Sequence, residues 1–170
     1  DDGRYYAFAT RATNGYDGDT NNASDIFVKD VDTGLLRLIS RPSPAVGGVA
    51  NGDSGNLSFI QNFNGVVFQS IASNLVANDT NNGADIFFYA PEPRNRVTTR
   101  INFGLNLVPA QGGSNTLRQC VITGNGAFCA YTTDANLGTG PAAGPVHLYR
   151  SLCVYPLSPD EASLPDGTFP

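Results

Sequence analysis

The residues of this chain best suited to chemistry stand in two loops rich in Asp and Asn: Asp19, Asn21 and Asp25, and again Asp79, Asn81 and Asp85. In each loop the three share one spacing, with Asp17 ahead of the first set and Gly83 inside the second. A hard cation such as Ca2+ takes several carboxylate, amide and carbonyl oxygens at about 2.3–2.6 Å, and a tight loop can converge them. The same residues also have a metal-free use. Asp and Asn at turns hydrogen-bond their own backbone, and an Asp leading a strand can tie a hairpin together. The spacing is shorter and less acidic than that of an EF-hand loop. Both readings stand, and a Ca2+ held here would be structural.

Other reactive residues are sparse. Cys120 and Cys129 flank Thr123-Gly124-Asn125-Gly126, which places them on adjacent strands of a hairpin. A Gly124-Asn125 turn sets them directly opposite, whereas an Asn125-Gly126 turn makes them a diagonal pair. Cys153 lies beyond the next strand and is a second candidate partner for Cys129; with three cysteines, one thiol stays free or pairs between chains. Gly52-Asp53-Ser54-Gly55 looks superficially like the nucleophile segment of chymotrypsin-like proteases. The single histidine, His147, lies downstream of it rather than upstream as that chain order requires. Residues 52–55 are therefore expected to be an inter-repeat turn. Glu92 and Glu161 fall in separate Pro-rich loops, which gives no glycosidase pair. Asn22, Asn56 and Asn78 each open an N-glycosylation sequon, a pattern that an Asn-rich chain also produces by chance.

Positioning these loops falls to a repeat. GDTNNASDIFVKD at 18–30 returns as NDTNNGADIFFYA at 78–90, an offset of 60 residues, and self-similarity of that period marks a repeat architecture. The match includes Tyr6 to Thr10 against Val66 to Ser70. A third copy, from Asn125 through Leu137, has lost the acidic residues of its loop. Within the middle copy, alternating apolar segments predict strands near 56–62, 65–71, 85–90 and 96–102, a four-stranded antiparallel meander. Phe68 and Ile86 to Phe88 put apolar residues on both faces of the central strands, as expected for small sheets sandwiched between neighbours. No apolar pattern of helical period persists.

Composition agrees with an all-β chain. The 170 residues are 41% hydrophobic, with nineteen Gly, eleven Pro and few charges. No apolar run is long enough for a membrane span. The net charge of −5, with no basic cluster, argues against nucleic acid as a partner. Methionine is absent, so a processed mature protein or a piece of a longer one is expected. Export is the favoured reading, and the cysteines suit an oxidising compartment.

Gly3-Arg4-Tyr5-Tyr6-Ala7-Phe8, Gly18-Asp19-Thr20-Asn21 and Ser24-Asp25-Ile26-Phe27-Val28-Lys29-Asp30 resemble the repeats of secreted bacterial β-propellers related to the TolB propeller. The resemblance runs to about Cys153 and implies one four-stranded blade per repeat. Blade 1 then covers 1–50 without its first strand, blade 2 covers 51–110, and blade 3 covers 111–153 with a degenerate loop. A Pro-rich tail, 154–170, is either a donor strand or an unstructured end. Propellers close with about four to eight blades, so about three cannot close a ring as a monomer.

The expectation for function is a non-catalytic extracellular or cell-surface module that self-associates into a ring or filament by blade stacking or strand addition. The alternative is a fragment of a larger secreted propeller that binds a ligand or carries a hydrolase domain. A carbohydrate ligand is open, but no residue pattern supports it.

Overall fold

The computed structural model describes residues 3–42, 48–60, 65–81, 83–91, 97–102, 120–122, 128–133 and 147–152. These residues are all-β, in three antiparallel meanders. The first sheet runs β1 (Tyr5–Thr10), β2 (Asp25–Asp30), β3 (Leu36–Leu38). The second runs β4 (Ser54–Ile60), β5 (Gly65–Ser70), β6 (Asp85–Ala90), β7 (Val97–Arg100). The third contains β8 (Cys120–Ile122), β9 (Phe128–Thr133) and β10 (His147–Leu152), with β9 central. Each of the first two sheets is one repeat. Three open sheets of this kind, among the described residues, are consistent with partial propeller blades.

The blades pack face to face, and the repeat shows how. Antiparallel partners share a face. Pairing of Phe8 with Phe27 and of Phe68 with Phe87 therefore puts these rings on the same face of their respective blades. Each pair is stacked, with centroids 6.0 and 5.7 Å apart. Val66, Phe68, Phe87 and Tyr89 of blade 2 join Ile26, Val28 and Ile39 of blade 1 in one buried cluster, with Tyr5, Ala7, Leu57 and Phe59 at its margin. The core thus lies between the sheets, and each blade supplies a different face to it. On the far side of blade 2, Ile60, Val67, Ile86 and Phe88 are also buried, and β8 lies alongside β4 and β5.

Local chemistry sets the turns. The β2–β3 connection is held by the Asp30 carboxylate, which accepts the N–H groups of Asp32 and Thr33, and by Gly34 at φ 72°. Asn56 takes φ 46° where the β4–β5 register shifts between Gly55 and Ser58, the conformation and site expected of a β-bulge.

The sequence expectation for residues 52–55 needs one adjustment: Ser54 and Gly55 already belong to β4. Ser54 donates its N–H to Ser24 O at 2.7 Å. The strand extends this far because Ser54 and Gly55 pair with Ser70 and Gln69 of β5 beyond the bulge. Cys153, the loop 138–145, Glu92, Glu161 and the tail 154–170 lie outside the described residues.

Candidate functional site

Both acidic loops begin as the same turn. Asn21 accepts the Ala23 N–H on Oδ1 at 2.8 Å and donates Nδ2 to Asp25 Oδ2 at 2.8 Å and to Ala50 O at 2.7 Å. Asn81 accepts the Gly83 N–H at 3.1 Å and donates to both oxygens of Asp85, at 3.0 and 2.9 Å. These are Asx turns whose amide also anchors the aspartate that opens the next strand. That aspartate is fully buried in both copies.

Beyond this common frame the loops differ in how they handle negative charge. In blade 2 the Arg100 guanidinium donates through Nη1 to Asp79 Oδ1 at 3.0 Å and to Asp85 Oδ2 at 3.1 Å. Asn102 donates to Asp85 Oδ1, and its own Oδ1 accepts the Ile86 N–H at 3.0 Å. Burial pushes the Asp79 carboxyl up, the neighbouring Asp85 charge adds to that, and Arg100 opposes it.

In blade 1 Ser40 takes the place of Asn102. Its hydroxyl accepts the Ile26 N–H at 2.9 Å and donates to Asp25 Oδ1 at 2.7 Å. The place of Arg100 is taken by Leu38. Strand pairing shows this directly, since Phe27 faces Leu38 as Phe87 faces Arg100. Ile39 and Ile101 likewise make the same backbone bond to Ile26 and Ile86, at 2.8 and 2.9 Å. Asp19 is 8% exposed, and its Oδ1 is enclosed without a hydrogen-bond partner. Burial pushes the Asp25 carboxyl up; the Ser40 and Asn21 hydrogen bonds pull it back, while the Asp19 and Asp53 charges push it further up. Among the described residues no three His, Cys, Asp or Glu side chains gather as a metal cluster, so each loop contributes a pair of carboxylates.

A second polar cluster lies where the blades meet. Asp53 accepts the Ser24 N–H at 2.7 Å on Oδ1 and the Arg11 guanidinium at 2.5 Å on Oδ2. The Ser24 bond, with help from Arg11, holds its carboxyl below the usual range. This residue joins the blades.

The remaining candidates are placed as follows. Asn22, Asn56 and Asn78 are exposed and all lie at positive φ, 55°, 46° and 59°. Asn tolerates this left-handed conformation better than other residues with a Cβ, which explains their identity without reference to glycans. Cys120 faces Tyr131 and Cys129 faces Ile122, so the two cysteines stand diagonally across the strand pair. Cα atoms of such pairs are about 7–8 Å apart, at or beyond the usual disulfide limit of about 6.8 Å. His147 opens the outer strand β10, opposite Thr133.

The sequence alone points to none of Arg100, Asn102, Ser40 and Arg11, and it places Asp53 only in a turn. The hairpin between β6 and β7 is two residues longer than that between β2 and β3. At the 60-residue offset Arg100 falls against Ser40, and the true equivalence with Leu38 disappears.

No family model matches the chain, and no curated protein matches it. Among solved structures it is similar to the crystal structure of TolB from Acinetobacter baumannii, at 14% identity and a TM-score of 0.44. The alignment covers 86% of this chain and 30% of that one. The chain therefore spans about a third of that protein's length, and its blade architecture rests on its own sheet order and repeat.

Proposed function

We propose that this chain is a non-catalytic structural module of the cell exterior or envelope that assembles by stacking blades of separate copies. The observation that carries the reading is a contrast between equivalent residues. Val66 and Phe68 are completely buried because blade 1 covers them, whereas Tyr6 and Phe8 are 52% and 39% exposed. The same side of the same repeat is covered in one blade and open in the other. Blade 1 meets blade 2 through its opposite face, so a second copy presenting a blade face of that kind would repeat the internal packing. Burial of two aromatic rings and pairing at the β1 edge, which is open among the described strands, both favour it.

Sedimentation of the intact chain tests this. Self-association is expected at micromolar concentration, and Tyr6→Ser with Phe8→Ser should abolish it while leaving the far-ultraviolet spectrum unchanged. A monomer with the native face intact overturns the assembly reading. A blade supplied within a longer polypeptide would then be the cover, as in the larger-propeller alternative.

A further inference from the structure

The two acidic loops are built alike yet neutralised differently. Asp79 and Asp85 share one guanidinium, held at 3.0 and 3.1 Å with 3% or less of any of the three side chains exposed. Their counterparts Asp19 and Asp25 are also buried, at 8% and 0% exposure, but the residue in the position of Arg100 is Leu38. Leucine reproduces the stem of the arginine and lacks its charge. The loss is registered atom by atom: Asp79 Oδ1 receives Arg100, and the corresponding Asp19 Oδ1 is enclosed without a partner. Two carboxylates shut from water without a cation carry a large desolvation cost.

We propose that the first acidic loop binds a hard metal cation between Asp19 and Asp25, taking the part that Arg100 plays for Asp79 and Asp85 in the second loop. The donor set is carboxylate oxygen, the preference of Ca2+ and Mg2+ rather than of softer metals. Two protein carboxylates are few for such an ion, so the affinity is modest and the occupancy follows free metal concentration. The second loop has its charge supplied by the chain itself and binds no metal. Metal binding is thus confined to one of two nearly identical sequence motifs. This inference is independent of blade stacking, since it concerns charge inside one blade.

The test is thermal unfolding of the intact chain after chelation, with calcium, magnesium or sodium chloride added at matched ionic strength. Calcium, or magnesium if the site selects the smaller ion, should raise Tm in proportion to the logarithm of its concentration above saturation. Asp19→Asn, which keeps the shape of the side chain, should lose that shift entirely. Leu38→Arg should lose it too, because the guanidinium replaces the ion, and Asp79→Asn should retain it. Absence of any shift in the native chain overturns the proposal. A shift undiminished in Asp19→Asn also overturns it, because the metal would then bind elsewhere.

Discussion

Arg100 and Asp85 form an ion pair shut away from solvent, 3.1 Å from Nη1 to Oδ2, with 3% and 0% of their side chains exposed. Asp79 shares the same nitrogen. Removing one member of such a group leaves the other charges buried and uncompensated. Arg100→Met, in the presence of chelator, should therefore lower stability by about 3–5 kcal/mol, read from urea unfolding. A loss below about 1 kcal/mol, the scale of exposed pairs, would contradict a buried electrostatic role.

Gly65 is needed for a close approach. A Cβ at this position would stand 2.7 Å from Phe88 Cζ, closer still to Cε2, and 3.1 Å from Ile60 Cδ1. Phe88 is 2% exposed and Ile60 fully buried, so neither ring nor methyl has room to withdraw. Overpacking of this kind costs about 1–3 kcal/mol. Gly65→Ala should show that loss in chemical denaturation, and adding Phe88→Leu should make the alanine better tolerated than it is beside the ring. Equal effects of the alanine in both backgrounds would place the strain elsewhere.

Arg4 grips Asp30 with two bonds, Nε to Oδ1 at 3.2 Å and Nη2 to Oδ2 at 3.0 Å, and lies 4.9 Å from the centre of the Tyr5 ring. The Arg4 hydrogen bond is the main reason that the Asp30 carboxyl is held far below its ordinary value of 3.8. A depressed carboxylate contributes stability that is fully present above the unfolded pKa and is lost as pH falls toward the folded one. The Tm difference between the native chain and Arg4→Gln should thus be largest near neutrality and shrink as pH drops below 3.8. A difference unchanged from neutral to strongly acid solution would mean that packing, not charge, is what Arg4 supplies.

Strand content and repeat are legible in the sequence. The segments expected near 65–71 and 85–90 are β5 and β6 within a residue at either end. The expected 56–62 strand begins two residues earlier, at Ser54, because pairing with β5 resumes beyond a bulge that the alternation does not show. Apolar alternation and turn chemistry act over a few residues, so they can be read locally. The Asn21 and Asn81 turns belong to the same class, since the bonds of Asn21 with Ala23 and Asp25, and of Asn81 with Gly83 and Asp85, close within four positions of the chain.

The sequence by itself determined that this is a repeated all-β chain with two matching Asx loops, because those features are written in periodicity and in residues near one another. Only the tertiary structure decided which face of each blade is covered and which carboxylates receive a cation. Phe8 and Phe68 match in the repeat, yet their exposure depends on a neighbouring sheet. Asp19 and Asp79 also match, but their environments diverge through residues from a different strand, Leu38 and Arg100, whose correspondence a longer hairpin conceals. Burial and charge compensation are properties of what lies alongside in space, and spacing along one strand carries no record of them.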